Sequence, residues 1–72
     1  MDTIARVEEL AAERDLTLYS LSHLCDVPYT TLVNAKKRGG QLTVDTIERI
    51  CIGLHISFRT FFPENEPNNK LS

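Results

Sequence analysis

The most constraining feature of the sequence is an interrupted helical pattern over residues 21–40. Apolar residues recur at helical spacing in LSHLC, the pattern breaks at Asp-Val-Pro, and it resumes in TTLVNA before two glycines. Pro28 lacks a backbone donor and disfavours helical geometry at the preceding residue, but it can begin a new helix. The pattern therefore predicts two short helices joined by a tight turn. The second runs from Pro28 or Tyr29 to Lys37, and Gly39 supplies the left-handed residue that ends it.

Three further helices are predicted around this pair. Their predicted bounds are Thr3 to about Arg14, Val44 to about Leu54, and FRTFF stopping at Pro63. Hydroxyl side chains precede three of the predicted helices and serve as N-caps: Thr17, Thr43 and Ser57. The side chains predicted to face inward are Ile4, Val7, Leu10, Ala11, Leu18, Leu21, Leu24, Cys25, Val27, Leu32, Ala35, Val44, Ile47, Ile50, Cys51 and Leu54.

The pattern predicts the fold class and the domain organisation. Polar and apolar residues nowhere alternate with a sustained period of two, so no strand is predicted. A chain of 72 residues forms one domain, and a domain of this size buries only about 60% of the surface of its unfolded chain. We expect an all-α fold, a compact bundle of five helices over residues 1–62. A polar, flexible tail is expected over residues 63–72.

The side chains that usually carry chemistry are poorly placed for a catalytic or metal site. Cys25 and Cys51 lie far apart in the sequence and form no CxxC pair, so both are expected to be small buried hydrophobes. His23 and His55 have no partner of ligand type at helical spacing. The sequence contains no paired carboxylates, Ser-His-Asp set or phosphate-binding glycine loop. We therefore expect no metal, no cofactor and no enzymatic activity.

The composition is that of an ordinary globular protein, with 42% hydrophobic and 25% charged residues. No apolar run approaches the length of a membrane helix. The beginning of the chain, MDTIARVEEL, has acids among its apolar residues and lacks the basic start and apolar core of a secretion signal. These features predict a cytoplasmic protein that contacts no membrane, and no small-molecule ligand is evident.

The third predicted helix has an unusual outer face. Leu32 and Ala35 share one side of it, and roughly opposite lie Thr30, Val33, Asn34 and Lys37. An ordinary surface helix would carry mainly Glu and Lys there. Small hydroxyls, an amide and a branched methyl pair instead suit the base edges of a DNA major groove. The alternative is that these residues form a merely solvated polar face.

The charges are distributed unevenly around the same helix. Residues 1–35 carry six acids and two bases, whereas residues 36–72 carry four acids and six bases. No acid occurs from Val27 to Val44. The only tight cationic cluster lies in this interval and consists of Lys36, Lys37 and Arg38. The interval could therefore approach phosphates without repulsion, with the acidic first helix expected to face away or sideways.

One long segment resembles the Cro and lambda-repressor type of helix-turn-helix domain, the XRE family: LTLYSLSHLCDVPYTTLVNAKKRGGQLTVDTIERICIGLHISFRTFF. The match covers Ile4 to Phe62. It depends on the L-x-x-L-x-x-V core at residues 21–27, the TTL opening at residues 30–32 and the glycine that follows the helix. TVDTIERICIGLHIS looks like the fourth helix of the family, and FRTFF looks like its fifth.

The resemblance implies a lambda repressor-like DNA-binding domain whose third helix enters the major groove, usually as a dimer on a palindrome. The positions that match base-facing residues of the family are Tyr29, Thr30, Val33 and Asn34. The positions expected at the DNA backbone are Leu18, Thr31, Lys37 and the loop from Gln41 to Thr43, to which the cationic cluster adds Lys36 and Arg38. Tyr29 has an alternative role, which is packing at the corner between the second and third helices.

Two positions depart from the family pattern. Asp26 stands where the turn commonly has glycine, and it tolerates left-handed geometry at some cost. Leu18 stands where a glutamine often touches DNA, so this contact is expected to be lost or to become apolar.

The expected function is that of a sequence-specific transcriptional regulator, a repressor that binds double-stranded DNA as a homodimer. The C-terminal helix is the candidate dimer seam. The alternative is a protein-interaction module of the same fold, an antirepressor or an assembly partner without specific DNA binding. The acidic net charge and the aromatic residues Phe58, Phe61 and Phe62 favour this alternative. The resemblance more strongly implies that these aromatic residues pack in the core, with one of them at a dimer seam.

Overall fold

A computed structural model describes residues 2–62, which form five α-helices and no strand. The helices are α1 (Thr3–Glu13), α2 (Leu18–Leu24), α3 (Tyr29–Lys37), α4 (Val44–Leu54) and α5 (Phe58–Phe61). The predicted all-α fold with five helices is therefore confirmed, and α1 ends one residue earlier than expected. The predicted tail, residues 63–72, lies outside the described residues.

Side-chain caps begin four of these five helices. The predicted caps Thr17, Thr43 and Ser57 each accept a hydrogen bond from the backbone N–H three residues later, and Asp2 does the same at the start of α1. Each bond satisfies a backbone donor that the helix itself leaves free. Pro28 precedes α3 without a side-chain cap. The capping pattern read from the sequence is confirmed.

The turns after α2 and α3 use left-handed backbone. Asp26 has φ of +57°, in the left-handed region that favours glycine. Gly39 follows α3 with φ of +96°, as predicted for the residue that ends this helix. An added Cβ at Gly39 would touch nothing, so the backbone conformation is the reason for glycine at this position.

The buried core includes most of the apolar residues that were predicted to face inward. Leu18 packs against this core but is only partly buried. Two predictions of burial are wrong, because Leu24 is 55% exposed and Val44 is 67% exposed. Leu24 lies nearly opposite Ser22 on α2, and Ser22 takes the buried side with its hydroxyl donating to the Tyr19 carbonyl. Val44 is the first residue of α4, and the buried residues of this helix begin only at Ile47.

Two polar side chains of α1 hold distant segments in place. The Thr3 hydroxyl donates to the Gly40 carbonyl at 3.0 Å and accepts from the Leu42 N–H at 2.7 Å, which fixes the loop between α3 and α4. The Arg6 guanidinium donates to the carbonyl oxygens of Thr60 and Phe61, both at 2.7 Å. These bonds satisfy free carbonyls at the end of α5 and attach it to α1.

Candidate nucleic-acid interface

The candidate interface is built on the connection between α2 and α3. Val27 is buried in this connection, and its N–H donates to the Ser22 carbonyl at 2.9 Å. Arg49 of α4 donates to the Asp26 carbonyl at 3.2 Å from the other side. The connection is therefore anchored by one apolar side chain and by hydrogen bonds to two helices, which fixes the direction in which α3 leaves the turn.

The two faces of α3 are divided as predicted except at Val33. Leu32 and Ala35 are buried, whereas Thr30, Asn34 and Lys37 are exposed. Val33 and Thr31 are partly buried, at the border between the faces. The exposed face therefore presents hydroxyl, amide and ammonium groups, and the Val33 methyl groups lie at its edge.

An aromatic cluster covers the corner between α2 and α3. The rings of Tyr19 and Tyr29 lie edge to face with centroids 5.3 Å apart, and His23 lies 4.6 Å from Tyr19. Tyr29 packs in this cluster and is also 42% exposed. The same ring can therefore pack at the corner between α2 and α3 and present its exposed part to a ligand. Sequence reasoning missed Tyr19 and the ring contact of His23. The available signal was their i, i+4 spacing on the outer side of α2.

The cations after Asn34 differ in their surroundings. Lys36 forms an ion pair with Glu8 of α1 at 2.8 Å, and the hydrogen bond and charge of Glu8 raise the pKa of Lys36. The segment from Val27 to Val44 contains no acid, but the carboxylate of Glu8 lies beside it. The acids of α1 were expected to face away or sideways, and Glu8 does not face away. Lys37 and Arg38 are exposed, and within the described residues they take part in no ion pair.

The remaining residues predicted at the DNA backbone fall into two groups. Gln41 and Thr43 are exposed in the loop after α3, where the Thr43 hydroxyl also caps α4. Leu18 and Thr31 are partly buried, so each presents only part of its side chain. Arg49 was not predicted. It is exposed near the start of α3 and lines, with Asp26 and Tyr29, an open cavity of about 330 Å³ beside the turn.

The two cysteines lie beneath the exposed surface. Cys25 and Cys51 are free and buried. Burial is the main cause that raises the pKa of both thiols, with a smaller effect of Cys51 on Cys25 and of Glu48 on Cys51. A raised pKa keeps a thiol protonated and unreactive near neutral pH. Among residues 2–62, no group of three or more His, Cys, Asp or Glu side chains could hold a metal ion. In the same range, no helix is both long and apolar enough to cross a membrane.

Comparisons with known proteins give no match: no family model, no curated protein and no solved structure matches the chain. Function is therefore inferred from the chemistry of the exposed α3 face, from the charges around it and from the way α2 supports it.

Proposed function

We propose that this chain is a sequence-specific DNA-binding protein that represses transcription, with α2 and α3 acting as a helix-turn-helix of the Cro and lambda-repressor type. The observation that carries this proposal is the exposed face of α3. Thr30, Asn34 and Lys37 share this face with no carboxylate between them, while the opposite face is packed into the core. The proposed role is binding, and it needs neither a catalytic group nor a cofactor.

The dimensions of α3 suit this role. An α-helix with its side chains is about 10 to 12 Å in diameter, and the major groove of B-DNA is about 12 Å wide. In the proposed complex, Tyr29 and Thr30 enter the groove at the first turn of α3. Val33 and Asn34 follow one turn later and reach the base edges in the middle of the contact.

The charges around α3 suit contacts to phosphates on both sides of the groove. Lys37 and Arg38 lie at the end of the helix, and Arg49 lies near its start. The net charge of the whole chain is -2, so attraction to DNA is confined to this region. We propose that local cations provide affinity, and that the acidic remainder keeps binding to random DNA weak.

The proposed complex contains two copies of the chain on a palindromic operator. The seam we propose is α5, where Phe58 is 41% exposed and lies 6.0 Å from the Phe62 ring. Phe61 is fully buried, so it belongs to the core and is removed from the candidate seam.

A second candidate function is a protein-interaction module, and one observation favours it. Leu24 and Ile52 are large, apolar and exposed, and both line an open cavity of about 280 Å³ between α2 and α4. Apolar side chains around an open cavity suit a protein partner. This surface does not explain the amide and hydroxyl groups on α3, so DNA binding is the preferred proposal.

The direct test is selection of bound sites from random double-stranded DNA by the full chain, followed by fluorescence anisotropy on the selected site. We expect Asn34→Ala to weaken binding by about 1 to 3 kcal/mol and to relax the preference at one base pair. Lys37→Ala is expected to weaken binding to all sequences and to reduce the salt slope by about 1. Equal affinity for selected and random DNA at moderate salt would contradict the proposal.

Glu8→Gln is expected to tighten DNA binding. The substitution removes the carboxylate that pairs with Lys36 and leaves an amide of the same shape. The ammonium group of Lys36 then has no ion-pair partner and lies beside the proposed path of the DNA phosphates. The slope of log K against log salt should steepen by about 0.9 for one added phosphate contact.

The matched control for this prediction is Glu13→Gln, which also removes one negative charge from α1. Glu13 forms an ion pair with Arg14 at 3.6 Å, and within the described residues it forms no ion pair with α3. Equal tightening by both variants would show an effect of net charge alone, and would contradict a specific role for the pair of Glu8 and Lys36.

A further inference from the structure

The base-facing part of α3 lacks the charged side chains that most often read a G·C pair, and its threonine hydroxyls can bond to either kind of pair. From Tyr29 to Ala35 the helix contains no Arg, Lys, Asp or Glu. Guanine is usually read by Arg or Lys through its O6 and N7 atoms, and cytosine by Asp or Glu through its amino group. The chemistry that the helix does present at these positions is an amide, two threonine hydroxyls, a tyrosine ring and the methyl groups of Val33.

The groups present match an A·T pair. An asparagine amide can bond to N6 and N7 of adenine with two hydrogen bonds, and apolar groups contact the thymine methyl. Asn34 is exposed, and Val33 is partly buried beside it. A valine in a helix is nearly fixed at χ1, so packing holds its methyl groups in one position at the border of the exposed face.

The nearby cations are poorly placed to supply a guanine contact. Lys36 is paired with Glu8. Lys37 is the last residue of α3. It lies three residues beyond Asn34, about 4.5 Å further along the helix axis. Arg49 lies on another helix and bonds to the Asp26 carbonyl. These side chains lie at the ends of α3, beside the phosphates of the proposed complex, and the middle of the helix has neutral groups.

The start of α3 extends the same apolar surface. Tyr29 lies edge to face against Tyr19, a contact that favours this position of its ring at the tip of the helix. Thr30 is exposed beside it and adds one methyl group. The surface from Tyr29 to Asn34 therefore has its apolar groups toward the first turn of α3 and its amide one turn later.

We infer that each operator half-site contains neighbouring A·T pairs under the middle of α3, with Asn34 reading an adenine and Val33 contacting a thymine methyl. This inference rests on the proposed function and names the class of DNA sequence that the same surface selects. Uracil differs from thymine only in lacking the methyl group. Replacement of thymine by uracil therefore tests direct contact with the methyl group separately from recognition of DNA shape.

The test uses the full chain and the site selected from random DNA. Each thymine of the half-site is replaced by uracil in turn, which leaves the protein and its folding unchanged. One replacement should weaken binding about three- to fivefold, the effect expected for one methyl group removed from an apolar contact. The same replacement should not change the affinity of the Val33→Ala variant for DNA, because the thymine methyl group and the valine side chain are the two sides of one contact.

A second variant tests the neighbouring base pair. Asn34→Arg is expected to shift the selected base at one position from adenine to guanine, because arginine bonds to guanine O6 and N7. Selection of G·C pairs at the centre of the half-site by the unmodified chain would overturn the inference and leave the proposed function standing. Equal uracil sensitivity in the unmodified chain and in Val33→Ala would overturn it in the same way. Binding no tighter than to random DNA would overturn both.

Discussion

Replacement of Phe61 by alanine is expected to lower the free energy of unfolding by about 3 to 5 kcal/mol. The Phe61 ring is fully buried and lies edge to face with Phe62 at 4.8 Å. Alanine would leave a cavity at the junction of α5 with the rest of the core. A domain of this size has a total stability of roughly 4 to 11 kcal/mol, so much of it is lost. Urea unfolding followed by circular dichroism measures the change, and Phe61→Leu gives a milder variant that retains more of the fold.

The matched control is Phe58→Ala, which removes the same ring from the exposed side of the same helix. We expect it to change the free energy of unfolding by less than about 1 kcal/mol. If Phe58 lies at the proposed dimer seam, sedimentation of this variant should show weaker self-association, together with weaker binding to a palindromic site. Similar destabilisation by both variants would contradict the docking of α5 described above.

The bounds of the helices could be predicted because their signals are local. Thr17, Thr43 and Ser57 cap helices through bonds that span only three residues. Pro28 and the left-handed Gly39 set the start and the end of α3 through their own backbone geometry. Such signals need no knowledge of what the helix packs against.

The orientation of the short helices was harder to predict. A helix of seven residues such as α2 has two turns, and its apolar pattern is compatible with more than one inward direction. The buried position went to Ser22 because its hydroxyl bonds to a carbonyl of its own helix, which removes the cost of burial. Leu24 then faced outward. A prediction that assigns buried positions by hydrophobicity places Leu24 in the core before Ser22, so it misses this arrangement.

The candidate interface was predicted only where it depends on the pattern of a single helix. The exposed positions of Thr30, Asn34 and Lys37 follow from the period of one helix, and the structure agrees with them. The pair of Glu8 and Lys36 joins residues 28 positions apart, so it depends on how α1 crosses α3. The contact between Tyr19 and Tyr29 likewise depends on the angle between α2 and α3. Single-helix patterns contain no information about either angle.

Gly53→Ala is expected to lower the free energy of unfolding by about 1 to 3 kcal/mol, although alanine favours helix over glycine by about 1 kcal/mol. The reason is the close approach of α4 to the end of α2. An alanine Cβ at this position would lie 2.6 Å from Cys25 Sγ and 2.7 Å from Cys25 Cα, so backbone as well as side chain would have to move. Overpacking against backbone therefore outweighs the gain in helix propensity. Urea unfolding measures the net effect.

Two further variants separate overpacking from other causes. Ile52→Ala changes the neighbouring residue of α4, which is 68% exposed, and should alter stability by less than about 1 kcal/mol. Cys25→Ala combined with Gly53→Ala removes the clash with Sγ and keeps the clash with Cα, so it should recover only part of the loss. Because Cys25 directly precedes the turn into α3, the shift forced by Gly53→Ala should also weaken binding to the selected DNA site. A Gly53→Ala protein as stable as the unmodified chain, with unchanged affinity, would show that α2 and α4 can separate without moving α3.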